Sequence, residues 1–115
     1  MQVTLKTKDG IAIIEISGRM VFDEALFRMR EHIRKLLQSG TKAFVLDVSK
    51  VSHCDSSACG EIISAYSSIA KAGGSLALVK PMERVRIIWT RIRLTEVLKI
   101  FETLPEAEEF VRRSL

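Results

Sequence analysis

The stretch Val45-Leu46-Asp47-Val48-Ser49-Lys50-Val51-Ser52-His53-Cys54-Asp55-Ser56-Ser57-Ala58-Cys59-Gly60 decides the architecture of this chain. It starts inside a nearly continuous apolar run, residues 43–48 (Ala-Phe-Val-Leu-Asp-Val), as expected of a central strand covered on both faces. A polar turn, Asp-Ser-Ser, follows, and then a helix predicted from about Ser56 to Ala72. Ala58, Ile62, Ala65, Ile69 and Ala72 recur there at helical spacing, and Gly73-Gly74 closes the helix. Residues 75–79 (Ser-Leu-Ala-Leu-Val) supply a second buried-strand candidate.

Upstream, residues 2–7 and 11–17 are β-like runs that bracket Asp9-Gly10, a strong hairpin signal, and Gly18 is the expected end of the second run. Asp23 can cap a helix running to about Ser39. Leu26, Met29, Ile33, Leu36 and Leu37 give that helix one apolar face, and Gly40 stops it. Downstream, Pro81 precedes a helix whose inward stripe is expected to be Met82, Val85, Ile88, Trp89 and Ile92. Residues 97–101 read as a short last strand, and Pro105 opens a final helix containing Phe110 and Val111. The order β-β-α-β-α-β-α-β-α implies an α/β fold, a mixed sheet of four to five strands with four helices, in a single domain spanning 1–115.

With 115 residues, 47% of them apolar and 28% charged, the chain can build a core without staples. No apolar run reaches the roughly 18–20 residues needed to cross a bilayer, and the N-terminus lacks the blocks of a signal peptide, so a cytoplasmic location is expected. The net charge of +4 is too diffuse to indicate a nucleic-acid partner. Four arginines and one Trp between Arg84 and Arg93 read as a solvated helix face. Cys54 and Cys59 match neither a disulfide framework nor a zinc spacing and read as small buried hydrophobes. No metal and no cofactor are expected.

Asp55 or Ser56 can cap the helix that follows, by accepting a bond from its unpaired first-turn amides. The small residues after them would let another backbone approach closely. From Val45 to Gly60 the sequence resembles the anti-sigma-factor antagonists, which share the sulphate-transporter and anti-sigma-factor-antagonist (STAS) domain. Leu46-Asp47-Val48-Ser49 and Asp55-Ser56-Ser57-x-x-Gly60 match the family motif in order and spacing. The likeness extends over the whole chain, through the opening hairpin, Ile16-Ser17-Gly18, Ala72-Gly73-Gly74 and the closing helix. Ala58-Cys59 stands where the family usually has Gly-Leu, and Asp23 comes later than the acid usual after strand two.

The resemblance implies a STAS-like fold and a binding function. In the family a partner anti-sigma factor, itself a serine kinase, phosphorylates the serine after the motif Asp. That residue is Ser56 here, with Ser57 a less favoured acceptor. The unmodified protein would bind the anti-sigma factor and free the sigma factor; the phosphorylated form would not, and a phosphatase could reset it. Asp23, Asp55, Ser56, Ser57, Ala58, Cys59 and Gly60 are the expected partner-binding residues. A STAS scaffold, transport-system component or ligand sensor without a phosphorylation switch is the alternative. Catalysis is not expected: His53 lies only three residues from Ser56, His32 reads as a surface residue, and no Gly-x-Ser-x-Gly elbow is present.

Overall fold

Asp9 and Gly10 both take positive φ, 51° and 83°, which gives the two-residue turn its right-handed hairpin twist. The turn joins β1 (Gln2–Lys8) to β2 (Ile11–Met20) with Lys8 opposite Ile11. The computed structural model describes residues 1–115. Beyond β2 each strand is reached through a helix: α1 (Glu24–Gln38) leads to β3 (Ala43–Cys54), α2 (Ser56–Lys71) to β4 (Ser75–Val79), and α3 (Glu83–Arg91) to β5 (Lys99–Phe101). Helix α4 (Leu104–Val111) follows, with Pro105 in its first turn and Thr103 as its cap.

The sheet runs in the order β1-β2-β3-β4-β5, antiparallel in the first pair and parallel thereafter. Crossovers between parallel strands are right-handed, and here all three step in the same direction. They therefore deposit α1, α2 and α3 on one face. Phe44, Leu46 and Val48 of β3, with Ala12, Ile14 and Ile16 of β2 and Leu76 and Leu78 of β4, form the main core beneath them. Ala43, Val45, Ala77 and Val79 point the other way and pack with Ala107 and Val111 of α4. The continuous apolar run of β3 follows from this two-sided cover; each fully buried Leu, Val or Phe there contributes about 1.5–3 kcal/mol.

Four elements depart from the reading of the sequence. Strand β3 does not end at Val48 but continues to Cys54, and β2 passes through Gly18 to Met20. Two register shifts, between Glu15 and Ser17 and between Gly18 and Arg19, each insert one extra residue on β3. The core-facing positions therefore run 44, 46, 48, then 51, then 54, and the alternation that marks a strand is lost. Gly18 sits at the second shift with φ 93°, inside the strand it was expected to terminate. In α3 only Val85 and Trp89 are buried and Ile88 is half-buried, while Met82 and Ile92 are exposed. Two and a half turns bury one i, i+4 pair. The last strand is confined to Lys99–Phe101 and is preceded by a 3₁₀ turn at Leu94–Glu96.

Candidate functional site

The C-terminal ends of β2 and β3 lie side by side, Met20 opposite Cys54, and the amide of Asp55 donates to the Met20 carbonyl at 3.1 Å. This bond fixes where the chain leaves β3 for α2. Asp55 has extended backbone angles, φ −81° and ψ 178°, and its Oδ1 accepts from the Ala58 amide at 2.9 Å. Its carbonyl accepts from the Cys59 amide at 2.9 Å. Asp55 is therefore the cap, and Ser56 is the first residue of the helix proper. Both residue types favour the cap position, so the sequence alone left the choice open.

With the cap assigned to Asp55, the side chains of Ser56 and Ser57 are exposed and their hydroxyls engage no other group of the chain. Gly60 is exposed as well, and a Cβ built on it would meet nothing within 4 Å. Ala58 and Cys59 turn the opposite way, 0% and 5% exposed, into the core under the first turn. Of the expected contact residues in this helix, Ser56, Ser57 and Gly60 thus offer surface. Ala58 and Cys59 contribute by being small enough to pack beneath it.

Asp47 acts within the strand. Its Oδ1 accepts from the Ser49 amide at 3.0 Å at the first register shift, which satisfies a backbone group that the ladder leaves unpaired. Asp23 caps α1 through a 3.0 Å bond from the Leu26 amide and lies 3.7 Å from the N-terminal ammonium. It belongs to the loop after Met20, so it flanks the Asp55 turn along the same edge. That loop carries Phe22, 80% exposed, which the reading of the sequence did not single out.

The charges around the turn are sparse. The first turns of α1, α3 and α4 contain Glu24, Glu83 and Glu106, whereas that of α2 contains no acid. Glu61 pairs with Arg30 at 2.6 and 2.7 Å in fork geometry, which ties α2 to α1 and holds the Arg30 guanidinium still more firmly protonated. In the arginine-rich segment Arg86 pairs with Glu102 at 2.6 Å and Arg93 with Glu96 at 3.8 Å; Arg84 and Arg91 are solvated. His32 lies on the surface. No cluster of three or more His, Cys, Asp or Glu side chains is placed to hold a metal ion. No helix is long and apolar enough to cross a membrane.

One contact has no signature in the sequence. Cys54, last in β3, and Cys59, in the first turn of α2, are both buried and their sulfurs are 3.5 Å apart. Five residues across a strand-to-helix junction correspond to no single period, so burial was legible and contact was not.

The family model of the STAS domain matches residues 2–107. A Thermotoga maritima protein named "Putative anti-sigma factor antagonist" is 31% identical over 108 residues, covering 94% of this chain and 96% of the relative. A crystal structure of a Thermotoga maritima protein of the same description superposes with a TM-score of 0.87 at 29% identity, covering 96% and 95% of the two chains. The Bacillus cell-fate determinant SpoIIAA, solved in its phosphorylated form, shares the fold with a TM-score of 0.76 at 19% identity, over 96% of this chain and 99% of that one. Antagonists of this kind are non-enzymatic regulators. The chain belongs to the STAS domain family, with the anti-sigma factor antagonists as its relatives.

Proposed function

We propose that this protein is a cytoplasmic anti-sigma factor antagonist, which binds a serine-kinase anti-sigma factor through the edge around Asp55-Ser56-Ser57 and is switched off by phosphorylation of Ser56. The observation that carries the reading is the division of labour at the turn. The Asp55 side chain takes the capping bond from the Ala58 amide, so the exposed Ser56 hydroxyl is left without a structural task.

The physical chemistry of the position supports a switch. A phosphate adds about −1.5 to −2 charges and is tolerated at a helix N-terminus, where unpaired amides and the helix dipole favour an anion. The first turn of α2 adds no acid beyond the Asp55 cap, whose carboxylate is engaged by the Ala58 amide. The same group in the middle of a close interface would have to be desolvated against the partner. A loss of about 3–4 kcal/mol there weakens binding several-hundredfold while the fold stays as it is. Exposed Phe22 and Gly60 extend the contact edge on either side, with Asp23 positioning the Phe22 loop.

Incubation with the cognate anti-sigma factor and ATP, followed by mass spectrometry, tests the assignment. One phosphate on Ser56, absent in Ser56→Ala and removable by a cognate phosphatase, is the expected result. Phosphate on Ser57 alone, or none with a partner that clearly binds, refutes it.

A further inference from the structure

We propose that Cys54 and Cys59 are a redox modification site, forming a reversible intramolecular disulfide whose ring encloses the Asp55-Ser56-Ser57-Ala58 turn. The inference rests on the packing of the two sulfurs and holds whether or not Ser56 is phosphorylated.

A single buried thiol is inert, but here two are held in contact. Their sulfurs are 3.5 Å apart, so closing to a bond length of about 2.05 Å requires a movement of about 1.5 Å. The pair joins the end of β3 to the first turn of α2, and the four residues between them are the turn itself. Cys59 is placed to react first. It lies in the first turn of a helix, where the dipole favours a thiolate. The Cys54 thiol donates toward its sulfur and brings Cys59 down to about 7 in spite of burial, while the same contact together with burial raises Cys54. The Trp89 indole N–H is buried without a conventional hydrogen-bond partner, yet lies near enough to both sulfurs to favour their thiolates. Both cysteines are buried, Cys54 2% and Cys59 5% exposed, and the exposed residues of the same helix start, Ser56, Ser57 and Gly60, are small.

The oxidant is hydrogen peroxide. The Cys59 thiolate attacks one peroxide oxygen and becomes a sulfenic acid, and the other oxygen leaves as water after taking up a proton. The Cys54 sulfur then attacks the sulfenic sulfur, its proton leaves with the hydroxyl as a second water, and the disulfide forms. Two thiols have lost two electrons and one peroxide has gained them. A thiol reductant reverses the reaction.

The test uses the full chain treated with hydrogen peroxide, alkylated, and analysed by mass spectrometry and non-reducing peptide mapping. The expected product is a monomer lighter by two hydrogen atoms, with Cys54 linked to Cys59 and the thiols restored by dithiothreitol. In that product the Ala58 and Cys59 amides should exchange with solvent about tenfold more slowly, because the ring restrains local opening of the turn. In Cys54→Ala, which lacks the resolving thiol, dimedone should trap the sulfenic acid at Cys59. Thiols that stay alkylatable, disulfide-linked dimers, or faster exchange in the oxidised form would each overturn the proposal; the wild-type measurement decides even if the variant fails to fold.

Discussion

Helix α2 starts on Asp55-Ser56-Ser57 and ends before Ala72-Gly73-Gly74, small residues at both ends, yet only the second end is filled in by the rest of the molecule. At the C-terminus the Gly73 amide donates to the Ala70 carbonyl at 3.0 Å and the Gly74 amide to the Ile69 carbonyl at 2.9 Å, with Gly73 at φ 82°. The Lys42 ammonium donates to the Ala72 carbonyl, and the Ser75 amide donates to the Lys42 carbonyl at 2.8 Å. A Cβ on Gly74 would collide with that same carbonyl oxygen. At the N-terminus nothing approaches: Ser56, Ser57 and Gly60 face solvent. Smallness at one end is demanded by the fold. At the other the fold makes no use of it, and an approaching partner would.

Alanine at the two glycines separates these cases most sharply. Gly74→Ala should destabilise the protein by about 2–3 kcal/mol, because backbone rather than a flexible side chain occupies the space. A lowered urea midpoint with an unchanged slope would register it. A neutral Gly74→Ala would mean that the junction between α2 and β4 relaxes freely, and the contrast between the ends would lose its structural half.

Gly60→Ala should have the opposite sign. Gly60 lies within the helix, takes an ordinary backbone conformation and has open space around its Cα. Replacing it should stabilise by about 0.5–1 kcal/mol, since glycine in a helix interior is conformationally costly. The same variant should weaken anti-sigma factor binding, measured by calorimetry, if the flat surface at Gly60 serves close approach. Unchanged binding would remove Gly60 from the contact edge and leave Ser56 and Ser57 to carry it.

The same two ends mark how far the sequence could be read. Gly73-Gly74 and Asp9-Gly10 announce themselves because left-handed backbone is the province of glycine and a few polar residues, and both were legible as a helix stop and a hairpin. The approach to Asp55 was harder. Residues 49–54 are strand, but two inserted residues turn a spacing of two into a spacing of three at Val48, Val51 and Cys54. With Ser49 and Lys50 between, that stretch reads as a loop; the three-residue spacing of its apolar positions is the signal that was present. At the site, the motif located the turn, while the division of roles between Asp55 and Ser56 needed the 2.9 Å bond to Ala58. The inward stripe assigned to α3 held at Val85 and Trp89 and failed at Ile92 for a plainer reason: a nine-residue helix followed by Arg93 in the left-handed region ends before Ile92 can reach the core.

The smallest effect on stability is expected at Ser56, the proposed phosphoacceptor. Ser56→Asp places a carboxylate at the first helical position of α2, the position that Glu24 occupies in α1, where the cap is again an Asp accepting from the amide three residues on. Helix α1 thus already carries, permanently, the kind of charge that a phosphate would bring to α2 for a time. The fold should accept the substitution, with a change in stability within about 0.5 kcal/mol and a nearly unchanged thermal unfolding curve. Binding to the anti-sigma factor should nevertheless fall at least tenfold, less than phosphate would cause because a carboxylate carries one charge and less bulk. Unfolding of Ser56→Asp would show that the open end of α2 is structural after all. A stable variant that binds as tightly as the wild type would move the contact away from the turn.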